Sequence, residues 1–274
     1  KEFKPDIVIG VGGYVTAPVI YAAKKLGIKT LIHEQNSTLG MTNRFLVKFS
    51  DVIAVSFKSS LDYIDGNKKK VFTGNPCSED AISKEVFDKS KLGLSKNKKL
   101  VLIVMGSLGS KVINDKMKNI LQLFNNKEYE VVFVTGKDYY DEFNSLSLGK
   151  NIKIVPYVEG LVKLMKSVDV MVSRAGATTM SEIIALSIPT IFIPSPHVTD
   201  NHQYKNAMDL VEKDAALIIE ENDLKGDILV RTIDKLLNDE KMYKKLKNNL
   251  SKYSITDSAS KIYDEIVELV NSGR

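Results

Sequence analysis

The chain has 274 residues, about two domains at roughly 150 residues each, and 43% hydrophobic with 27% charged residues is ordinary globular composition. That composition excludes disordered, collagen-like and low-complexity chains, no apolar run reaches the roughly 18–20 residues of a membrane span, and the single Cys77 excludes an intrachain disulfide and a cysteine-based zinc site. With 39 basic residues against 34 acidic ones, the net charge of +5 is too mild and too dispersed for a nucleic-acid binder, though it suits weak contact with an anionic membrane surface.

The chain opens at Lys1 without a methionine and enters a strand over 6–10 almost at once, which leads us to expect a portion upstream of it. One cysteine and no secretory apolar stretch make a reducing cytoplasm the expected compartment. Gly10-Val11-Gly12-Gly13-Tyr14 follows the strand and leads into a helix over 14–26. Such a turn either brings backbone close to a ligand or simply uses glycine's freedom at positive φ. The third glycine of a dinucleotide fingerprint is missing, since position 15 is Val. The next strand, over 29–33, runs into His33-Glu34-Gln35-Asn36. These four side chains make a polar loop, or supply a general base and hydrogen bonds to a hydroxylated ligand. A helix over 41–49 and strands over 51–55 and 70–73 close the first series, with Lys68-Lys69-Lys70 as a solvated turn.

Thr73-Gly74-Asn75-Pro76 marks a break, and a lysine-rich polar stretch runs on to Lys99. The second series starts with a strand over 100–104, apolar on both faces, and Met105-Gly106-Ser107-Leu108-Gly109-Ser110 follows it. That loop is a turn, or a set of backbone N–H groups facing an anion. A helix over 111–124, strands over 130–135 and 152–155, a helix over 160–167 and a strand over 168–173 come next. Ser173-Arg174-Ala175-Gly176-Ala177-Thr178-Thr179-Met180-Ser181-Glu182 then ends that strand and opens a helix over 178–187. A helix N-terminus there suits a diphosphate, and Glu182 either accepts from a ribose diol or closes a capping box with Thr179. After a strand over 190–194, Asp200-Asn201-His202-Gln203-Tyr204-Lys205-Asn206 leads into a helix over 203–213. A strand over 216–219 and helices over 224–237, 240–252 and 257–271 complete the chain. The last helix carries Ala259, Ile262, Tyr263, Ile266, Val267 and Val270 as an apolar stripe, expected to bury itself on the first series.

Strands alternating with helices in this way predict an α/β fold of parallel sheets, with ligands at the carboxyl ends of the strands. The expected division is residues 1–75, with helix 255–274 packed back on them, and residues 76–254.

Gly10-Val11-Gly12-Gly13-Tyr14-Val15, His33-Glu34-Gln35-Asn36, Thr42-Asn43-Arg44, Thr73-Gly74-Asn75-Pro76, Gly106-Ser107, Ser173-Arg174-Ala175-Gly176-Ala177-Thr178 and His202-Gln203 with Asn206-Ala207 occur in this order. In these segments, and over essentially its whole length, the chain resembles the bacterial N-acetylglucosaminyltransferases that make lipid II. The resemblance implies a GT-B fold, two Rossmann-like domains facing a cleft with the first one truncated here, and UDP-GlcNAc held mainly by the second. It implies inverting, metal-independent transfer of GlcNAc to the muramyl 4-hydroxyl of lipid I, without a cofactor. It places that activity in peptidoglycan synthesis, and so in cell shape and division, on a peripheral protein at the cytoplasmic face of the cell membrane. No Asp-x-Asp occurs in the sequence, in keeping with a site that holds no nucleotide-bound metal.

Carried over position by position, the resemblance gives Asn36 and Gln203 the GlcNAc hydroxyls and Ser107 a phosphate contact. The segment Ala177, Thr178, Thr179, Met180, Ser181 and Glu182 takes the diphosphate at its start and the ribose at Glu182, and the backbone of Val158 takes uracil. Glu34 is the candidate base for the acceptor hydroxyl, or else a residue that orients Asn36. Two departures stand out. The family's glycine-rich amino-terminal loop with its histidine has no counterpart, and Ser78 stands where the family usually has an arginine. The competing expectations are another GT-B glycosyltransferase with a different lipid acceptor and a non-catalytic nucleotide-sugar-binding fragment.

Overall fold

The computed structural model describes residues 3–272, so Lys1, Glu2, Gly273 and Arg274, at the ends of two expected segments, lie outside the described residues. The chain forms two compact units, Lys1–Asp80 with Ile255–Arg274, and Ala81–Ser254. The first boundary thus falls five residues after the expected one at 75.

The first unit contains β1 (Ile7–Gly10), α1 (Thr16–Lys25), β2 (Lys29–Glu34), α2 (Met41–Leu46), β3 (Val52–Val55) and β4 (Lys69–Phe72), with a parallel sheet in the order β1-β2-β3-β4. β3, Val52-Ile53-Ala54-Val55, is apolar and buried in every residue because both of its faces are covered. Ile32, Ile53 and Val55 pack with Ile20, Leu39 and Leu46 on one face. Leu31, Val52 and Ala54 pack with Ile266 and Leu269 of the carboxy-terminal helix (Ser258–Asn271) on the other.

That helix returns to the first unit on part of the expected stripe, with Ile262, Ile266 and Val270 half-buried. Tyr263 is 65% exposed and Val267 38%, while Ser258, Ile266 and Leu269 face inward. Beside that face Lys69 reaches across to Glu265 (2.7 Å) and Glu268 (2.8 Å). The helix start is held by Glu79, whose Oε1 accepts from Ala259 N–H at 2.5 Å. Gly74, at φ +75°, lies so close that a Cβ there would stand 2.5 Å from Ser258 Oγ.

A short helix, α3 (Cys77–Ser83), runs across the boundary of the units where a polar connection was expected. Its signals were present in Asn75-Pro76 ahead of it and Glu79 and Asp80 in its first turn. With only seven residues it has no apolar periodicity to read.

The second unit contains β5 (Leu100–Val104), α4 (Lys111–Ile120), β6 (Glu130–Val134), β7 (Ile152–Val155), α5 (Leu161–Met165), β8 (Val170–Ser173), α6 (Ala177–Leu186), β9 (Thr190–Phe192), α7 (His202–Val211), β10 (Leu217–Ile218), α8 (Ile228–Asn238) and α9 (Glu240–Ser251). Its six parallel strands run in the order β10-β9-β8-β5-β6-β7. Strand order reverses between β5 and β8, and the loops that leave those two strands part in opposite directions to open a crevice. β5 is buried along its whole length. Among the described residues no helix is long and apolar enough to cross a membrane.

Candidate functional site

A cavity of about 650 Å³ opens at that crevice, walled by the loops that follow β5, β7, β8 and β9. After β5 the chain turns through Gly106 (φ +91°) and Gly109 (φ +76°). A Cβ on Gly109 would stand 2.0 Å from the carbonyl oxygen of Thr135, and one on Gly136 would stand 2.3 Å from that of Leu108. The loops after β5 and β6 therefore touch backbone to backbone, which only glycine permits. Asn114, fully buried on α4, donates from Nδ2 to that Thr135 carbonyl at 2.9 Å. The loop so held presents Ser107 to the cavity.

After β8, α6 begins at Ala177 with Gly176 as an extended N-cap (φ −73°, ψ 140°) that makes no side-chain cap. The capping box between Thr179 and Glu182 does not form, because Thr179 is the third residue of the helix and not its cap. Helical spacing then sorts the run 177–182. Thr178, Thr179 and Glu182 face the cavity. Met180 is fully buried in the core, and Ser181 is buried with its hydroxyl donating to Ala177 O at 2.9 Å. Met180 N–H is spent on Gly176 O at 2.9 Å, so the amides that an anion can reach end at Thr179. The side chains of Met180 and Ser181 thus pack inward, while those of Thr178, Thr179 and Glu182 line the cavity. Ala177 does not line the cavity and has only its N–H to offer.

Three further expected positions fall on the same cavity. Val158, 5% exposed, sits on its wall beside Tyr157, whose ring has Lys137 Nζ 5.6 Å from its centroid. Gln203 is the second residue of α7, with Oε1 accepting from Ser195 N–H at 2.9 Å. Behind it Asn206, fully buried, donates to Ala175 O at 3.1 Å and ties α7 to the loop ahead of α6.

Among the described residues lining the cavity, Arg174 is the one cation and Glu182 the one anion. Sequence reasoning quoted Arg174 within a motif but gave it no role. Tyr157 was missed too, although an aromatic in the loop after β7 was signal enough.

Glu34 and Asn36 lie in the first unit and form no part of this cavity. Glu34 is 2% exposed, and four donors occupy its oxygens: Asn36 N–H (2.9 Å) and Nδ2 (3.0 Å) on Oε1, Gly40 N–H (2.9 Å) and Asn43 Nδ2 (2.8 Å) on Oε2. A carboxylate held in this way has no lone pair turned toward an incoming hydroxyl. These bonds suit the second of the two expected roles of Glu34, that of orienting Asn36. Its neighbour His33, 5% exposed, meets Gly74 O through Nε2 (2.9 Å) and Gln35 Nε2 through Nδ1 (3.0 Å). The carbonyl requires a proton on Nε2, which leaves Nδ1 as the acceptor. Burial pushes the pKa of His33 below its ordinary value, against the opposing pull of the Gly74 carbonyl and the Glu34 charge.

Ser78, in the first turn of α3, is 5% exposed. An arginine cannot enter that position without displacing its neighbours.

A Rossmann-type six-stranded sheet, with a glycine-lined crevice and a helix N-terminus at its switch point, and a second parallel-sheet unit in the same chain make a two-domain α/β architecture of the GT-B kind. Residues 100–262 match the glycosyltransferase family 28 C-terminal domain and residues 1–55 the glycosyltransferase family 28 N-terminal domain. The chain belongs to glycosyltransferase family 28. It is 42% identical to a Bacillus cereus protein named UDP-N-acetylglucosamine–N-acetylmuramyl-(pentapeptide) pyrophosphoryl-undecaprenol N-acetylglucosamine transferase 1, over 98% of this chain and 75% of that protein. A Bacillus licheniformis transferase of the same designation is also 42% identical over the same shares. The crystal structure of Acinetobacter baumannii MurG superposes with a TM-score of 0.80 at 25% identity, covering 97% of this chain and 74% of that one. A Staphylococcus aureus MnaA–UDP structure, at 15% identity and a TM-score of 0.72, shares the fold.

Proposed function

We propose that this chain transfers GlcNAc from UDP-GlcNAc to the muramyl 4-hydroxyl of lipid I, giving lipid II for peptidoglycan synthesis. The observation that carries the donor half is the gathering of Ser107, Val158, Thr178, Thr179, Glu182 and Gln203, from four separate loops, around one cavity. The named activity of the 42% identical relatives supports the acceptor half.

The assignment follows the chemistry of each wall. Uracil meets the backbone of Val158, the ribose diol donates to Glu182, and the diphosphate faces Ser107 and the first amides of α6. The acceptor hydroxyl oxygen forms a bond to the anomeric carbon as the bond from that carbon to the diphosphate oxygen breaks, with inversion, and the hydroxyl proton passes to solvent water. UDP leaves with the electron pair, and its growing charge falls on the positive end of α6, with no metal required. Asn36, whose amide donates to Glu34, takes a GlcNAc hydroxyl.

The protein acts as a peripheral one at the cytoplasmic membrane face. An exposed groove on α2 supports this, with Met41 (69% exposed) and Phe45 (51%) standing beside Arg44 and Lys48. Apolar side chains ringed by basic ones suit an anionic leaflet. Cell shape and division then depend on the reaction through the wall it builds.

Thermal unfolding with saturating UDP-GlcNAc, UDP, UDP-galactose and NAD tests the donor half. A ligand at about 100 times its Kd stabilises by about 2.7 kcal/mol, roughly 2–4 °C at this size. UDP and UDP-GlcNAc raise the Tm and NAD does not; no shift with any uridine nucleotide overturns the reading. Turnover with lipid I then tests the acceptor half.

A further inference from the structure

Glu221 touches no part of the donor cavity, yet it is tied to its wall. It opens a short turn after β10, is 5% exposed, and accepts on Oε2 from NH2 of Arg174. The same NH2 donates to Ser110 Oγ at 3.0 Å, and NH1 donates to Ile193 O at 2.9 Å. One guanidinium, its side chain 11% exposed, thus joins the end of β9, the N-cap of α4 and the turn after β10. From α4, Lys116 Nζ grips the main-chain carbonyl of Glu221 itself. We infer that Glu221 is a positioning residue of the donor site, acting through Arg174 on the loop that carries Ser107.

The argument rests on the donor-site reading above and on how little slack that loop has. Gly109 is already in backbone contact with Thr135, and Ser110 is the next residue along. Ser110 caps α4 and receives the guanidinium, so a shift of Arg174 moves Ser110, and Ser107 three residues before it. A guanidinium is a rigid planar fork whose N–H groups keep fixed directions. Its direction here is set by what it meets on the side away from the cavity, and the one charged partner there is Glu221. Buried ion pairs of this kind are weak sources of stability, since apolar residues of similar size replace them at little cost. That property separates a positioning role from a structural one.

The experiment is calorimetric titration of UDP into the wild-type chain, Glu221→Leu, Glu221→Gln and the double variant Arg174→Met/Glu221→Leu, with denaturant unfolding of each. Glu221→Leu weakens UDP about tenfold, the worth of one hydrogen bond to a charged group. Glu221→Gln, whose amide oxygen still accepts from Arg174, stays within about threefold of wild type. The double variant, free of unpaired buried charge, unfolds at wild-type denaturant or above and still binds UDP weakly. Wild-type affinity in Glu221→Leu overturns the inference. So does a double variant that regains affinity together with stability, and this second comparison decides the matter if Glu221→Leu does not fold. A wild-type chain that binds no UDP is a different result, one that removes the donor reading itself.

Discussion

Ser195 donates its main-chain N–H to Oε1 of Gln203 at 2.9 Å, and this bond sets the way the side-chain amide is turned. One lone pair of the oxygen goes to the backbone, which leaves the second lone pair and the NH2 group for a ligand. A sugar hydroxyl, both donor and acceptor, pairs with either. Gln203→Ala is expected to weaken UDP-GlcNAc about tenfold, by loss of a hydrogen bond, and to leave UDP within about twofold. Titration of the two ligands reads the difference directly. Equal losses for both would make Gln203 a structural residue.

Glu182 is the sixth residue of α6, too far along to cap it, so its removal should cost the fold little. We expect Glu182→Ala to keep the wild-type Tm within about 2 °C, as surface substitutions away from caps do. UDP should weaken about tenfold, while 2′-deoxy-UDP weakens far less, because the variant no longer meets the hydroxyl that ligand lacks. A variant that loses both nucleotides equally would detach Glu182 from the ribose.

The sheet pattern was legible in the sequence because strands such as Val101-Leu102-Ile103-Val104 are apolar on both faces and loops such as 105–110 punctuate them. The cavity wall was legible too, since carboxyl ends of parallel strands are where glycine and small polar residues gather. What stayed hidden is rotation and pairing. Whether Met180 or Thr179 faces a ligand depends on which residue starts α6, and a glycine N-cap leaves no side-chain signature. Nor does sequence show that Glu34 has all its acceptor positions filled by residues up to nine positions away, or that Glu221 meets Arg174, 47 positions earlier. Long-range polar pairs carry no periodicity, and they decide whether a carboxylate reacts or supports.

Gly109 and Gly106 share positive φ but not surroundings: a Cβ on Gly106 meets nothing within 4 Å, whereas one on Gly109 collides with Thr135. Gly106→Ala is expected to cost about 1 kcal/mol from backbone strain alone. Gly109→Ala adds the collision and should cost at least about 3 kcal/mol, with loss of UDP binding as the loop moves. Denaturant unfolding compares the two, and equal costs would mean that the close approach of the loops is not maintained in solution.

Glu34 offers a sharp contrast between a base and an anchor. Glu34→Gln puts an NH2 where Asn43 Nδ2 or Asn36 Nδ2 now donates, so buried donors face one another. The expected cost is about 2 kcal/mol of stability, seen as a lowered unfolding midpoint, since each unsatisfied buried group costs roughly 1–3 kcal/mol. A catalytic base would behave oppositely, with stability unchanged and turnover abolished. Unfolding of the variant at neutral pH, paired with its turnover on lipid I, separates these outcomes.

His33 makes the stability of the first unit depend on pH. Its neutral ring donates through Nε2 to Gly74 and accepts at Nδ1 from Gln35, with Ser56 Oγ 3.4 Å from Nε2 and Glu34 next in the chain. A proton on Nδ1 would set two donors against each other, and burial opposes the charge as well, so the folded pKa lies below the ordinary histidine value of about 6.5. The unfolded chain therefore takes up the proton first as pH falls. The stability that His33 contributes is complete above about pH 6.5 and is lost as pH drops from there through the folded value, at a slope approaching about 1.4 kcal/mol per pH unit. In His33→Gln the side-chain amide still donates to Gly74 but does not titrate. Unfolding free energies at pH 7.5 and pH 5.5 should differ clearly in the wild-type chain and by less in this variant; an unchanged difference would assign the pH dependence to other groups.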